Sequence, residues 1–96
     1  MDLQSVKSAA LRYPELVELP YSNMIDMNGF DAICVFIEHF SGETVYIPKL
    51  RTVFAACIEK DVLRRYNGRN IRKLADQFGY SLHQIRLIIR RNSKKT

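Results

Sequence analysis

The chain has 96 residues, of which 47% are hydrophobic and 26% are charged, the size and composition of one soluble domain or of two very small ones that share a core. Its apolar runs fall well short of the roughly 18–20 residues of a membrane span, and its N-terminus lacks the basic-then-apolar layout of a signal peptide. We therefore expect a cytoplasmic protein with no membrane partner. The two cysteines and two histidines lack the paired spacing of metal ligands, so neither a metal site nor a cofactor is predicted.

Charge is divided unequally between the two halves of the chain. Residues 1–48 carry two basic and seven acidic side chains, whereas residues 49–96 carry thirteen basic and three acidic ones. Residues 1–48 therefore have a net charge of −5, and residues 49–96 have a net charge of +10. A basic half-chain in a cytoplasmic protein points first to nucleic acid. A solvated basic face, or a site for an acidic protein partner, would explain the same charge.

The first half is predicted to be largely helical. Residues up to about Leu19 have helix-compatible spacing, and Pro14 suits the first turn of a short helix. The segment FDAICVFIEHF, Phe30–Phe40, has apolar residues around most of the helix circumference. Such a helix needs cover on all sides, either from a second copy of the chain or at the centre of a compact monomer. The first alternative makes this helix a dimer interface formed by Phe30, Ile33, Cys34, Phe36, Ile37 and Phe40.

A short strand is predicted directly after this helix, in the stretch SGETVYIPK, Ser41–Lys49. Alternation places Val45 and Ile47 on one face. Thr44 and Tyr46 share the opposite face. One strand alone leaves its backbone groups unpaired, and the chain has no second strong strand signal. We therefore expect the strand to pair with its own copy in a second subunit, which adds Val45 and Ile47 to the dimer interface.

A longer helix is predicted from about Leu50 to Tyr66, and Asn67-Gly68 ends it. This helix opens the basic half of the chain. Its apolar face is formed by Leu50, Val53, Phe54, Cys57, Ile58 and Val62.

The twenty residues IRKLADQFGYSLHQIRLIIR, which follow Asn70, fit a helix-turn-helix. Ala75 is small where two steeply crossed helices approach, and Gly79 tolerates the positive φ that the turn requires. Asn70 is placed to cap the first helix. Ser81 and Gln84 form the S-x-x-Q capping box of the second helix. In a basic half-chain this pattern predicts DNA binding, and a helical hairpin that only packs is the alternative.

The second helix of the motif, from about Leu82 to Asn92, is predicted to enter the major groove of double-stranded DNA with its N-terminal end foremost. Its outer face would offer His83, Gln84 and Leu87 to base edges. Each has an alternative, because Gln84 is also a capping residue, His83 can be merely solvated and Leu87 can pack against protein. Contacts to the phosphate backbone are expected from side chains that also have a solvated alternative: Lys49, Arg69, Arg72, Lys73, Ser81, Arg86, Arg90, Arg91, Lys94 and Lys95.

SGETVYIPK, a following helix and then YNGRNIRKLADQFGYSLHQIRLII together resemble the Mor/C family of phage transcription activators. The resemblance covers about Phe36 to Asn92, and its most specific parts are YIPK and the G-x-N-x-x-x-L-A stretch from Gly68 to Ala75. It implies a homodimer with an intertwined N-terminal region of helix and strand, followed by a C-terminal helix-turn-helix. It also implies binding to an imperfect inverted repeat upstream of a phage promoter and recruitment of host RNA polymerase.

The resemblance further implicates the strand region in DNA contact. Carried over to this chain, it points to Gly42, Thr44 and Tyr46. Members of the family often have a Gly-Gly pair before the strand, where this chain has Ser41-Gly42.

We therefore expect a mainly α protein with one short β-strand. An N-terminal helix-strand dimerisation region would occupy residues 1–48, and a helix-turn-helix domain residues 49–96. The expected function is that of a dimeric, sequence-specific activator of phage or prophage genes in a bacterial host cell. A DNA-binding repressor, a DNA-organising protein and a helical interaction module without DNA binding are the alternatives. No residues have the spacing of a catalytic pair, so an enzyme is not expected.

Overall fold

A computed structural model describes residues 1–93, and all of their regular secondary structure is helical. The helices expected near the N-terminus, over FDAICVFIEHF and on both sides of the Gly79 turn are all present. No helix within residues 1–93 is long and apolar enough to cross a membrane. The elements are α1 (Leu3–Arg12), a 3₁₀ turn (Pro14–Leu16), α2 (Tyr21–Met24), α3 (Gly29–Phe40), α4 (Leu50–Val53), α5 (Ala55–Arg65), α6 (Ile71–Phe78) and α7 (Leu82–Ser93).

The packed core lies where α1, α5, α6 and α7 meet. Each of these helices turns one apolar stripe inward and keeps most of its charged residues outside, with the buried Asp61 of α5 as an exception, so the four stripes cover one another. Burying a large apolar side chain contributes about 1.5–3 kcal/mol, which makes this cluster the main source of stability. The core consists of Val6, Ala9, Ala10, Val17, Cys57, Ile58, Val62, Leu74, Ala75, Phe78, Ile85 and Ile88.

The first helix is tied to the helical hairpin at its N-terminal end. Asp2 caps α1 by accepting a hydrogen bond from the backbone N–H of Gln4 at 3.1 Å. The hydroxyl of Ser5 donates to the same carboxylate at 2.9 Å, and this bond lowers the pKa of Asp2 below its ordinary value. The backbone N–H of Asp2 in turn donates to the carbonyl of Gln77 at 2.7 Å. The start of α1 is thereby fixed against the last turn of α6.

The single helix expected from Leu50 to Tyr66 is divided into α4 and α5. Phe54 separates them with φ −105° and ψ 14°, outside the α-helical region. Thr52 and Val53 precede the break, and β-branched residues have lower helix propensity. Leu50 is 41% exposed and so lies outside the apolar face that was predicted for it, whereas the part of that face on α5 is buried.

The predicted β-strand is wrong. Residues 43–49 form no regular secondary structure, and no strand occurs anywhere in residues 1–93. Gly42 has φ +77°, which turns the chain as it leaves α3, and Pro48 has no N–H to donate to a ladder. Val45 and Ile47 therefore have no strand partner, and the helix-strand dimerisation region expected over residues 1–48 is not observed. The physical reason is that residues 1–93 contain no second strand to pair with its backbone groups.

Residues 29–49, named here the α3 arm, contribute nothing to the packed core. None of the twelve residues of α3 is buried, and the helix packs mainly on the short α2. The extents of the molecule are 46 × 22 × 22 Å, an elongated shape for a chain of this length. The sequence left two positions open for α3, a dimer interface or the centre of a compact monomer. The second is wrong, because no residue of α3 is buried. The apolar residues of α3 that are more than half exposed are Phe30, Ile33 and Ile37.

Candidate nucleic-acid interface

A tight turn at residues 79–81 joins α6 to α7. Gly79 has φ +67° and ψ 32°, the left-handed conformation predicted for it. The backbone N–H of Tyr80 donates to the carbonyl of Ala75 at 2.9 Å, which closes the end of α6 as in a Schellman motif. A Cβ atom at Gly79 would lie 3.0 Å from the Cβ of Met1, so the position is restricted by packing as well as by backbone conformation.

The predicted capping box at the start of α7 is confirmed. The backbone N–H of Gln84 donates to the Ser81 hydroxyl at 3.0 Å, and the backbone N–H of Ser81 donates to Gln84 Oε1 at 2.8 Å. Gln84 therefore uses its acceptor oxygen within the protein. Its Nε2 donors are unengaged in residues 1–93 and face solvent.

The predicted side-chain cap at the start of α6 is not formed. Asn70 makes no capping hydrogen bond there. Its Oδ1 accepts from the backbone N–H of Asn67 at 3.0 Å, and its Nδ2 donates to the carbonyl of Arg65 at 2.9 Å. The asparagine instead holds the loop between α5 and α6, where Gly68 adopts φ +91°.

The outward face of α7 carries all three residues predicted to contact bases. Ile85 and Ile88 are buried, and the residues between them point to solvent. His83 and Gln84 are exposed, and Leu87 is 36% exposed. This face of the helix is thus accessible over two successive turns.

The side chains predicted to contact the phosphate backbone are all exposed where the structure describes them. Arg91 differs from the others because its Nη2 lies 3.3 Å from Glu59 Oε1 on α5. Lys94 and Lys95 lie outside the described residues. Within residues 49–93, the exposed lysine and arginine side chains that make no ion pair, hydrogen bond or ring contact are those of Lys49, Arg69, Arg72, Lys73, Arg86 and Arg90.

Two arginines of the basic half are occupied by one buried carboxylate. Asp61 is fully buried, and its Oδ1 accepts a hydrogen bond from Arg64 Nε at 2.8 Å. Its Oδ2 lies 2.8 Å from Arg65 Nε, without the alignment of a standard hydrogen bond. The hydrogen bond to Asp61 raises the pKa of Arg64. Loss of Asp61 would remove the carboxylate that both arginines contact, and loss of both arginines would leave a buried charge uncompensated, so the two arginines are engaged within the fold.

Arg51 was not among the site residues predicted from the sequence. From α4 it donates through Nη1 to the carbonyl of Gly79 at 2.6 Å, and its guanidinium carbon lies 5.6 Å from the ring centroid of Tyr80. No helical spacing connects residues 51 and 79, and only tertiary packing brings them together. Arg51 lines a groove of about 450 Å³ with Lys49, Thr52, Ala55, Glu59, Tyr80, Gln84, Leu87, Ile88 and Arg91.

The family resemblance implicates Gly42, Thr44 and Tyr46 in DNA contact. These residues lie in a segment without regular secondary structure. Tyr46 is 82% exposed, and Gly42 and Thr44 are also exposed. The two-faced arrangement expected for Thr44 and Tyr46 depended on a strand and does not apply. Within residues 1–93, no three His, Cys, Asp or Glu side chains are grouped as metal ligands would be.

A hairpin with a left-handed glycine turn, a capped second helix and a basic outer face is typical of helix-turn-helix proteins that bind DNA. The family model of the Mor transcription activator family matches residues 6–96, and the chain belongs to that family. The family resemblance noted from the sequence is confirmed, and with it the broad function, because this is a family of transcription activators. Neither the search of curated proteins nor the search of solved structures gave a match.

Proposed function

We propose that the chain is a sequence-specific DNA-binding activator that inserts α7 into the major groove. The observation that carries this proposal is the outward face of α7, which is exposed, basic and held at a fixed angle by the Gly79 turn and the Ser81–Gln84 capping box. Membership of the Mor transcription activator family supports DNA binding and transcription regulation.

Base contacts are assigned to His83, Gln84 and Leu87. Because Gln84 Oε1 is used in the cap, the side chain offers donors to DNA, and these suit acceptor atoms on purine edges. Leu87 supplies an apolar contact for a thymine methyl group. Ser81 accepts in the cap through its oxygen and retains its hydroxyl hydrogen for a phosphate.

Backbone contacts are assigned to the six basic side chains without a protein partner in residues 49–93. Each phosphate that is neutralised adds about −0.9 to the slope of the logarithm of the DNA-binding constant against the logarithm of the salt concentration. Six contacts per chain therefore predict a slope of roughly −5 from each chain. The +10 charge of residues 49–96 alone would suggest a steeper dependence, but Arg64 and Arg65 are paired with Asp61.

The test is footprinting and filter or gel-shift binding with DNA upstream of genes that neighbour the coding sequence, at several salt concentrations. Arg90→Ala should weaken specific and non-specific binding alike and reduce the salt slope by about one unit. Lys60→Ala is the matched control, because Lys60 lies 5.8 Å from the ring of Tyr13 and not on α7. Arg90→Ala that abolishes only specific binding would make Arg90 a base reader. Absence of any protected site would reject the proposal.

We further propose that the active form is a homodimer joined through α3. Phe30, Ile33 and Ile37 are 75%, 59% and 57% exposed and lie at helical spacing on one stripe. An exposed apolar stripe of this kind is typical of an association surface. Ile37→Glu should convert a dimer to a monomer in sedimentation equilibrium, whereas Glu38→Gln on the same helix should not. A wild-type chain that remains monomeric at micromolar concentration would reject the dimer.

A two-fold dimer would match an inverted repeat, and activation would follow from recruiting bacterial RNA polymerase within the cytoplasm of a host cell. The acidic first half, with a net charge of −5, supports a protein-contacting role for that part of the chain. Transcription in vitro with purified polymerase and a footprinted promoter measures this directly. Stimulation is expected, and repression at the same occupancy would assign the alternative function.

A further inference from the structure

We propose that Arg51 is a positioning residue that sets the orientation of α7 by holding the Gly79 turn, and that it is not a DNA ligand. This inference rests on the proposed DNA-binding function. Arg51 would otherwise be counted among the cations of the basic half that neutralise phosphate.

Arg51, which lies on α4, donates a hydrogen bond to the Gly79 carbonyl at the C-terminal end of α6. The last turn of a helix exposes carbonyl oxygens and carries partial negative charge, so a cation is favoured there. The last turns of α5 and α7 contain their own arginines, but α6 has no basic residue in its last turn. Arg51 supplies the missing cation from α4, with a charge-assisted hydrogen bond of 2.6 Å to the Gly79 carbonyl.

The same guanidinium also restrains the next residue of the turn. Its carbon atom lies 5.6 Å from the ring centroid of Tyr80, a separation at which a cation is attracted to an aromatic ring. Arg51 is half-buried, and burial of Tyr80 raises the pKa of its phenol, so this contact lies in a partly dry environment. Two successive turn residues are therefore held by one side chain.

The turn residues determine where α7 begins. Ser81 follows Tyr80 directly and caps α7 together with Gln84. Gln84 and Leu87 line the same groove as Arg51. A change in the turn would consequently tilt the face of α7 that carries the proposed base contacts. Since α4 directly follows the α3 arm, Arg51 also connects that arm to α7.

The test compares Arg51→Met with Arg86→Met, which removes an exposed arginine of α7 that makes no contact in residues 1–93. Amide hydrogen exchange is measured on the protein without DNA, and affinity is measured across salt concentrations. Arg51→Met should speed exchange at the Tyr80 and Ser81 amides and lower specific affinity about tenfold, with the salt slope unchanged. Arg86→Met should leave exchange unchanged and reduce the slope by about one unit.

Arg51→Lys separates loss of charge from loss of shape. Lysine keeps the charge and can reach the carbonyl, but it lacks the planar fork that faces Tyr80. An intermediate effect on exchange and specific affinity is expected, and this variant takes the place of Arg51→Met if the latter unfolds.

A reduced salt slope with unchanged exchange in Arg51→Met would make Arg51 a phosphate ligand and overturn the inference. Unchanged exchange together with unchanged affinity would overturn it as well. If the wild-type protein binds no DNA, the proposed function fails, whereas the exchange measurement still decides whether Arg51 holds the turn.

Discussion

The packed core and the α3 arm use the same kinds of side chain with opposite results. Phe78 on α6 is fully buried, whereas Phe30 on α3 is 75% exposed. The helices of the core each carry one apolar stripe, and four stripes can cover one another within a single chain. The apolar residues of α3 cover most of its circumference, so no single neighbour can bury them. α3 is more apolar than the helices of the core and packs mainly on the short α2, so one chain leaves part of its apolar surface uncovered.

The largest expected difference between the two regions comes from truncating one phenylalanine in each. Phe78→Ala should lower the free energy of unfolding by about 3–5 kcal/mol, because it leaves a cavity in the packed core. Phe30→Ala should change the stability of a monomer by less than about 0.5 kcal/mol, the usual range for a surface position. Urea unfolding at two protein concentrations measures both values.

The outcome of that comparison depends on whether a second chain covers α3. A cost at Phe30 that grows with protein concentration would show that α3 is covered in a dimer, because association couples stability to concentration. Equal costs at the two positions, independent of concentration, would contradict the division into core and arm.

A smaller difference is expected between two glycines. Gly79→Ala places a Cβ in the left-handed region and 3.0 Å from Met1, and should cost about 1–2 kcal/mol or more. Gly29→Ala at the start of α3 meets no atom within 4 Å and has no positive φ, so it should be neutral or slightly stabilising. Thermal unfolding distinguishes the two, and a neutral Gly79→Ala would mean that the turn relaxes without loss.

The smallest difference concerns two helix caps. Ser81→Ala removes the cap of α7 and should cost about 1 kcal/mol of global stability, because α7 belongs to the core. Asn28→Ala removes the cap of α3. In the wild-type chain Asn28 Oδ1 accepts a hydrogen bond from the Asp31 backbone N–H at 3.0 Å. Since α3 lies outside the core, its loss should appear as faster local hydrogen exchange with little change in global unfolding. A global effect at Asn28 would place α3 in the same cooperative unit as the core.

The hairpin was predictable from the sequence because its determinants are local. Gly79, Ser81 and Gln84 lie within six residues, and each has a short-range conformational role that the structure reproduces. Asn70 shows the limit of such reasoning, because an asparagine before a helix can bond to the preceding loop instead of the helix.

The features that were missed or wrong depend on contacts between distant parts of the chain. Alternation at Val45 and Ile47 describes a strand only if a partner strand exists, and residues 1–93 contain none. The pairing of Arg51 with Gly79 spans 28 residues and leaves no periodic signal. Likewise, charge counting could not reveal that Arg64 and Arg65 share the buried Asp61.

The elongation of the molecule affects how it diffuses. With extents of 46 × 22 × 22 Å and a radius of gyration of 15.1 Å, one chain is more extended than the roughly 12–13 Å expected for a compact domain of this length. Greater friction makes such a particle elute from a sizing column as if it were heavier. A monomer of this shape would therefore resemble a compact oligomer by elution volume, and its association state follows only from a measurement of mass.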